Sequence, residues 1–151
     1  HPCTNLQVGI MIEVPSAALL APILAKEVDF FSIGTNDLTQ YTLAIDRGHP
    51  ILSAEADGLH PSILQLIDQT VKAAHKYGKW VGICGELAAD PKAVPILMGL
   101  GVDELSMSPN SIPLVKAQIR TLNYSQAQVL AKRALECDSA TAVRQLSEQE
   151  M

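Results

Sequence analysis

Short apolar runs alternate with longer amphipathic ones along the whole chain. Residues 8–12, 30–33, 80–84 and 104–107 are brief and mostly apolar, the pattern of parallel strands covered on both faces. Helical patterns lie between them. Pro15 suits a first helical position, and the run after it reads Leu19, Leu20, Ile23, Leu24, with Pro22 expected to kink or interrupt it. Pro61 opens a helix over 62–77 with Ile63, Leu64, Ile67, Val71 and Ala74 on one face and Gly78 as its stop. Asp90 caps a helix begun by Pro91 and ended by Gly99, Ser111 caps a run through Ile119, and Ser125 starts another through Leu135. From Asp138 on, the pattern predicts a short helix or a frayed tail. The order is strand then helix, four times, with extra helix after it. Such alternation builds a parallel sheet with right-handed crossovers. It leaves two closures open: a small open α/β sheet, or half of an eight-stranded barrel. A half barrel has bare strand edges and an uncovered inner face, which favour association with other chains.

Composition narrows the classes. The chain has 151 residues, 48% of them hydrophobic and 18% charged, enough apolar surface for one packed domain. Aromatics are only 4%, so aliphatic residues do the packing. A net charge of −5 argues against a nucleic-acid binder, which needs clustered Lys and Arg. No apolar run approaches the ~20 residues that span a bilayer. Cys3, Cys84 and Cys137 form an odd set without a CxxC, so a reducing, cytoplasmic setting fits better than a disulfide framework. The chain opens on HPCTNLQ with neither an initiating Met nor a signal peptide, and reads as a piece of a longer protein.

Each strand is followed at once by reactive groups: Glu13 after IMI, Asn36 and Asp37 after FFSIGT, Cys84 and Glu86 in GICGE, Ser106 and Ser108 in ELSMS. In α/β folds, ligands bind at the carboxyl ends of strands, so these groups should converge on one rim. Glu13 and Asp37 can hold a hard cation such as Mg²⁺, or serve as a strand-end Glu and a helix-capping Asp. The Gly34-Thr35-Asn36-Asp37 turn can aim backbone N–H groups at an anion, and Arg47 can offer a planar fork to phosphate or carboxylate. Glycines at 82 and 85 let a ligand approach Cys84, whose thiol is either an acid or nucleophile, or a buried inert group. The histidines show no zinc spacing. His1 is terminal, His60 starts a helix, His75 is solvated, and His49 in RGHP could approach a ligand.

The strings IMIEVPSA, DFFSIGTNDLTQYTLAIDRG, GICGELA and DELSMS resemble the C-terminal phosphoenolpyruvate-binding barrel of enzyme I of the bacterial sugar phosphotransferase system. Pyruvate phosphate dikinase and phosphoenolpyruvate synthase share the general scheme, but the Tyr41 and Asp46-Arg47-Gly48 context is closer to enzyme I. The resemblance implies an α/β fold of the TIM (β/α)₈ barrel family. Residues 1–124 would hold its last four βα units, and 125–151 a helical extension. It implies Glu13 and Asp37 as Mg²⁺ ligands, Asn36, Asp37 and Arg47 as phosphoenolpyruvate-binding residues, and Cys84 as the proton donor that converts the enolate to pyruvate. The phosphoryl group would pass to a histidine on a separate swivelling domain. No Gly-Gly-x-Thr-Ser-His-like motif occurs in this chain, so none of its histidines takes that role. Onward transfer to an HPr-type phosphocarrier and a homodimer complete the expectation, with no nucleic-acid or membrane partner. Two other readings stand beside it: a Mg²⁺-dependent aldolase or lyase barrel acting on pyruvate, and a non-catalytic dimerisation or regulatory module.

Overall fold

The computed structural model describes residues 3–150, so His1 lies outside the described residues. Four strands, β1 (Gly9–Ile12), β2 (Phe30–Gly34), β3 (Trp80–Cys84) and β4 (Glu104–Leu105), form one parallel sheet in the order β1-β2-β3-β4. Strand order equal to chain order has a physical consequence. Right-handed crossovers that always step the same way put every connecting helix on the same face. Burial follows that rule. Ile12, Phe31, Ile33, Val81 and Ile83 are fully buried, whereas their alternating neighbours Met11, Phe30, Ser32 and Trp80 are not. The expectation of strands covered on both faces is therefore corrected: one face is packed and the other is open. On the open face Phe30 and Trp80, register partners, stack with centroids 4.3 Å apart. Gly9 makes room for them, because a Cβ there would meet the Phe30 ring at 2.5 Å.

Seven α-helices, α1 (Pro15–Leu24), α2 (Thr35–Leu43), α3 (Pro61–His75), α4 (Val94–Leu100), α5 (Ile112–Thr121), α6 (Tyr124–Leu135) and α7 (Ala140–Glu150), and two 3-10 turns, Leu52–Glu55 and Glu86–Ala89, complete the described chain. Pro22 does not interrupt α1, and the Ala25 N–H still reaches the Ala21 carbonyl at 2.9 Å. The helix turns its alanines inward. Ala18, Ala21 and Ala25 are fully buried, while Leu19, Leu20 and Ile23 stay 59%, 50% and 60% exposed. Helix α3 buries Ile63, Leu64, Ile67, Val71 and Ala74 as the periodicity predicts. Its N-cap is His60, whose Nδ1 accepts from the Ser62 N–H.

The later elements differ from the sequence pattern in detail. The Asp90 carboxylate caps a non-helical turn by accepting from the Lys92 N–H, and α4 starts only at Val94. Gly99 does not end α4. It lies inside the helix, pressed on α6, and Gly101 with φ 89° is the stop. Asn123, not Ser125, caps α6 through Oδ1 and the Gln126 N–H. The tail is not frayed: α7 is a full helix with Val143 and Leu146 in the core.

The α4–α6 contact tolerates no side chain at residue 99. A Cβ there would lie 2.0 Å from the Ala127 carbonyl oxygen, and backbone cannot give way as a side-chain tip can. Gly99→Ala is expected to cost about 3 kcal/mol of stability by overpacking, read as a lowered midpoint in urea unfolding.

Candidate active site at the carboxyl ends of the strands

Glu13 follows β1 and, by strand alternation, belongs to the open face. It sits against Gly34, where a Cβ would stand 3.1 Å from the Glu13 Cβ and 3.2 Å from Oε2. The missing side chain at Gly34 is what lets this carboxylate lie beside the start of α2. No separate turn follows β2, as the sequence pattern had suggested; Gly34 ends the strand and Thr35 begins the helix. The first N–H groups of α2 have no acceptor within the helix, and Asp37 stands in that first turn. A helix start of this kind favours negative charge.

Two hydrogen bonds stitch this helix start to the end of β3. Thr35 Oγ1 donates to the Cys84 carbonyl at 3.0 Å, and the Glu86 N–H donates to Asn36 Oδ1 at 3.1 Å. Gly85, at φ 107°, permits the closeness, since a Cβ there would lie 2.6 Å from Thr35 Oγ1. Cys84 is the register partner of Gly34. Its thiol donates to the Ile33 carbonyl at 3.5 Å and accepts from Ser32 Oγ at 3.6 Å. Arg47 reaches back from the loop after α2. Its Nη2 donates to Asp37 Oδ1 at 2.7 Å, and its Nε and backbone N–H both donate to Gln40 Oε1 at 3.2 Å. Both members of the ion pair are partly solvated, so it adds little stability and is easily exchanged for a ligand.

Sequence reasoning missed Ser32 and Gln40. The signal for Ser32 was available, because alternation along FFSIG places it on the face of Phe30 and Gly34. Gln40 is one helical turn beyond Asp37 in α2, at the spacing that brings side chains together. Other polar residues have structural duties. His49 Nδ1 accepts from the N–H groups of Ile51 and Leu52, which fastens the loop on itself. His75 Nε2 pairs with Asp103 at 2.9 Å. Ser106 bonds Glu104, and Ser108 bonds Ser111. Cys3 and Cys137 are free thiols, the first exposed and the second half-buried. Burial, then the Asp138 charge, pushes the Cys137 thiol up.

Among the described residues, no group of three or more His, Cys, Asp or Glu side chains could cage a metal. Glu13 and Asp37 are two oxygen donors at adjacent strand ends. That set fits Mg²⁺, which takes one or two carboxylates and completes its shell with water and substrate oxygens. Among the described residues, no helix is long and apolar enough to cross a membrane.

Beside the start of α2 opens a cleft of about 470 Å³, lined by Asn36, Arg47, Glu86, Asp57, Asp90 and Arg144 among others. Arg144, from α7, grips Asp57 with a two-pronged contact, Nε–Oδ2 2.5 Å and Nη2–Oδ1 2.8 Å, and also donates from Nη1 to Asp90 Oδ2 at 2.9 Å. Burial works against charge on Asp57, but the Arg144 hydrogen bond and the Leu59 N–H outweigh it and hold the carboxyl below its ordinary value. The bonds to Asp57 and, against the cost of burial, to Asp90 raise Arg144 above its own usual value. A lowered Asp pKa gives stability that is present above the unfolded-state value of about 3.9 and is lost as pH falls through the folded value. Asp57→Asn is therefore expected to be less stable than the parent chain by about 1 kcal/mol or more at pH 7, with the difference shrinking below about pH 4. Urea unfolding of both proteins between pH 7 and pH 3 measures it.

Residues 2–124 match the family model described as PEP-utilising enzyme, PEP-binding domain. The multiphosphoryl transfer protein of Xanthomonas campestris pv. campestris is 58% identical over 96% of this chain, which covers 17% of that protein. The phosphoenolpyruvate-protein phosphotransferase of Haemophilus influenzae is 55% identical over 96% of this chain, covering 25% of its own length. The protein of the same name from Staphylococcus epidermidis is 51% identical, again over 96% of this chain and 25% of its own. The chain thus spans a quarter or less of the length of these relatives. With the characteristic strings lying at the carboxyl ends of a parallel sheet, the chain belongs to the PEP-binding domain family of PEP-utilising enzymes.

Proposed function

We propose that this chain carries the C-terminal half of the substrate- and Mg²⁺-binding barrel of a phosphoenolpyruvate–protein phosphotransferase. Residues 1–124 would supply the last four βα units of a (β/α)₈ barrel, with 125–151 bracing them. The observation that carries this reading is the stitching of the α2 start to the β3 end, which brings Asn36 and Asp37 to the end of the sheet that carries Cys84. The one-sided burial of the sheet supports the barrel over an open doubly wound sheet, because the open face is where further strands would close an inner layer.

In this reading Glu13 and Asp37 hold Mg²⁺, which supplies positive charge to phosphate and enolate oxygens. Arg47 leaves Asp37 for the phosphoryl group, and the N–H groups at the start of α2 aim at the same charge. Transfer of the phosphoryl group to a histidine on another domain breaks the P–O bond and leaves the enolate of pyruvate. The Cys84 S–H bond then breaks, its proton forms the new C–H bond, and the electron pair stays on sulfur until solvent returns a proton. Ser32 and the Ile33 carbonyl hold the thiol at the strand end. The phosphoryl group would go on to an HPr-type carrier in the cytoplasm. Pairing of two chains is a second element of the proposal, favoured by the exposed Leu19, Leu20 and Ile23.

An aldolase or lyase barrel would use the two carboxylates but has no need of a thiol beside them. Turnover of phosphoenolpyruvate by the polypeptide that carries this chain separates the two. Arg47→Ala is expected to lower kcat/KM about 10²–10³-fold by removing charge stabilisation. Cys84→Ala is expected to lower pyruvate formation about 10²-fold or more by removing the general acid. Unimpaired pyruvate formation by the Cys84 variant would contradict the proton-donor role.

A further inference from the structure

The segment between α2 and α3 carries Arg47 and is held mainly by its own short-range bonds, among them the His49 contacts and a 3-10 turn at Leu52–Glu55. Residues 46–52 are all exposed, and the first fully buried side chain after α2 is Leu59. At its near end, Arg47 bonds Asp37 and Gln40, and the Ile45 N–H bonds the Gln40 carbonyl. At its far end stands Asp57. Among the described residues, the one hydrogen-bonding partner of this segment from beyond α3 is Arg144.

Arg144 is itself well founded. Val143 and Leu146 anchor α7 in the core on either side of it. Ser147 Oγ, fully buried, donates to the Lys92 carbonyl at 2.7 Å, and Glu148 pairs with Lys92. The guanidinium spends its donors on two carboxylates from two different loops, the one before α3 and the one after β3. Both carboxylates are fixed in turn, Asp57 Oδ1 by the Leu59 N–H and Asp90 Oδ1 by the Lys92 N–H. A planar fork gripping one carboxylate at two points fixes orientation as well as distance, which an ammonium cannot do. Arg47 and Arg144 line the same cleft.

We propose that Arg144 is a positioning residue, a strap from the C-terminal helix that holds the Arg47-bearing segment in place for phosphate capture. This rests on the reading of Arg47 as a phosphate ligand. The strap acts by lowering the number of arrangements open to residues 44–58 before substrate arrives, so that less ordering remains to be done on binding.

Amide hydrogen exchange and phosphoenolpyruvate binding in the presence of Mg²⁺ test it, in the polypeptide that carries this chain. Arg144→Ala is expected to speed exchange in residues 44–58 about tenfold while β1–β3 stay unchanged, with Arg144→Lys intermediate. Ser147→Ala, which removes one tie of α7 but keeps Val143, Leu146 and the Arg144 fork, is expected to speed exchange in that segment less than Arg144→Ala does. Arg144→Ala is also expected to weaken phosphoenolpyruvate binding several-fold in the parent but not when Arg47 is already Ala. Unchanged exchange in 44–58, an equal rise throughout the sheet, an equal effect of Ser147→Ala, or the same loss of binding with and without Arg47 would each overturn the strap. If the parent binds no phosphoenolpyruvate, the functional reading fails, and the exchange experiment alone decides whether Arg144 orders the segment.

Discussion

The site depends on how closely the end of β2 is allowed to approach its neighbours. Gly34 closes β2 between Glu13 on one side and Cys84 on the other. A side chain there would press on Glu13, and one at Gly85 would strike Thr35. With both absent, the first turn of α2 settles directly on the end of β3, and Thr35 and Asn36 bond it there. Chemistry from three strands is thus gathered without any long loop doing the gathering. The backbone amides at the start of α2 are held by the sheet itself, so little reorganisation is needed to meet a charged ligand.

The sheet is built for one-sided use. Its packed face carries the Ile, Val and Phe residues of alternate positions, and its open face carries the groups with chemistry above a flat aromatic pair. Helix α1 turns Leu19, Leu20 and Ile23 outward. Small alanines face inward because α1 lies close against α3, and the larger residues stay exposed. Helices α6 and α7 contribute Leu130, Ala131, Val143 and Leu146 to the one core. The C-terminal extension is therefore part of the domain's packing and not an appendage.

Much of this was legible in the chain. All four strands begin within a residue of where their apolar runs begin, and the α3 face matches its periodicity position by position. The match to enzyme I strings agreed with the family found. What sequence could not give was tertiary in origin. Nothing local says that Gly99 faces a carbonyl oxygen of α6, or that α1 buries its alanines and exposes its leucines. The sequence left residues from Asp138 on as a short helix or a frayed tail because the ties of α7, Arg144 to Asp57 and Asp90, span 87 and 54 residues of sequence. His49 looked available for a ligand, and nothing local showed that short-range amide contacts take its Nδ1.

The most direct measurement is the alkylation rate of each cysteine in the polypeptide that carries this chain, followed by peptide mass spectrometry. Cys84 is predicted to be shielded when phosphoenolpyruvate and Mg²⁺ are added together and far less by either alone, while Cys137 reacts at an unaltered rate. A Cys84 rate indifferent to the pair would mean that the thiol does not look onto the bound substrate, and the account of a single hollow at the strand ends would be wrong.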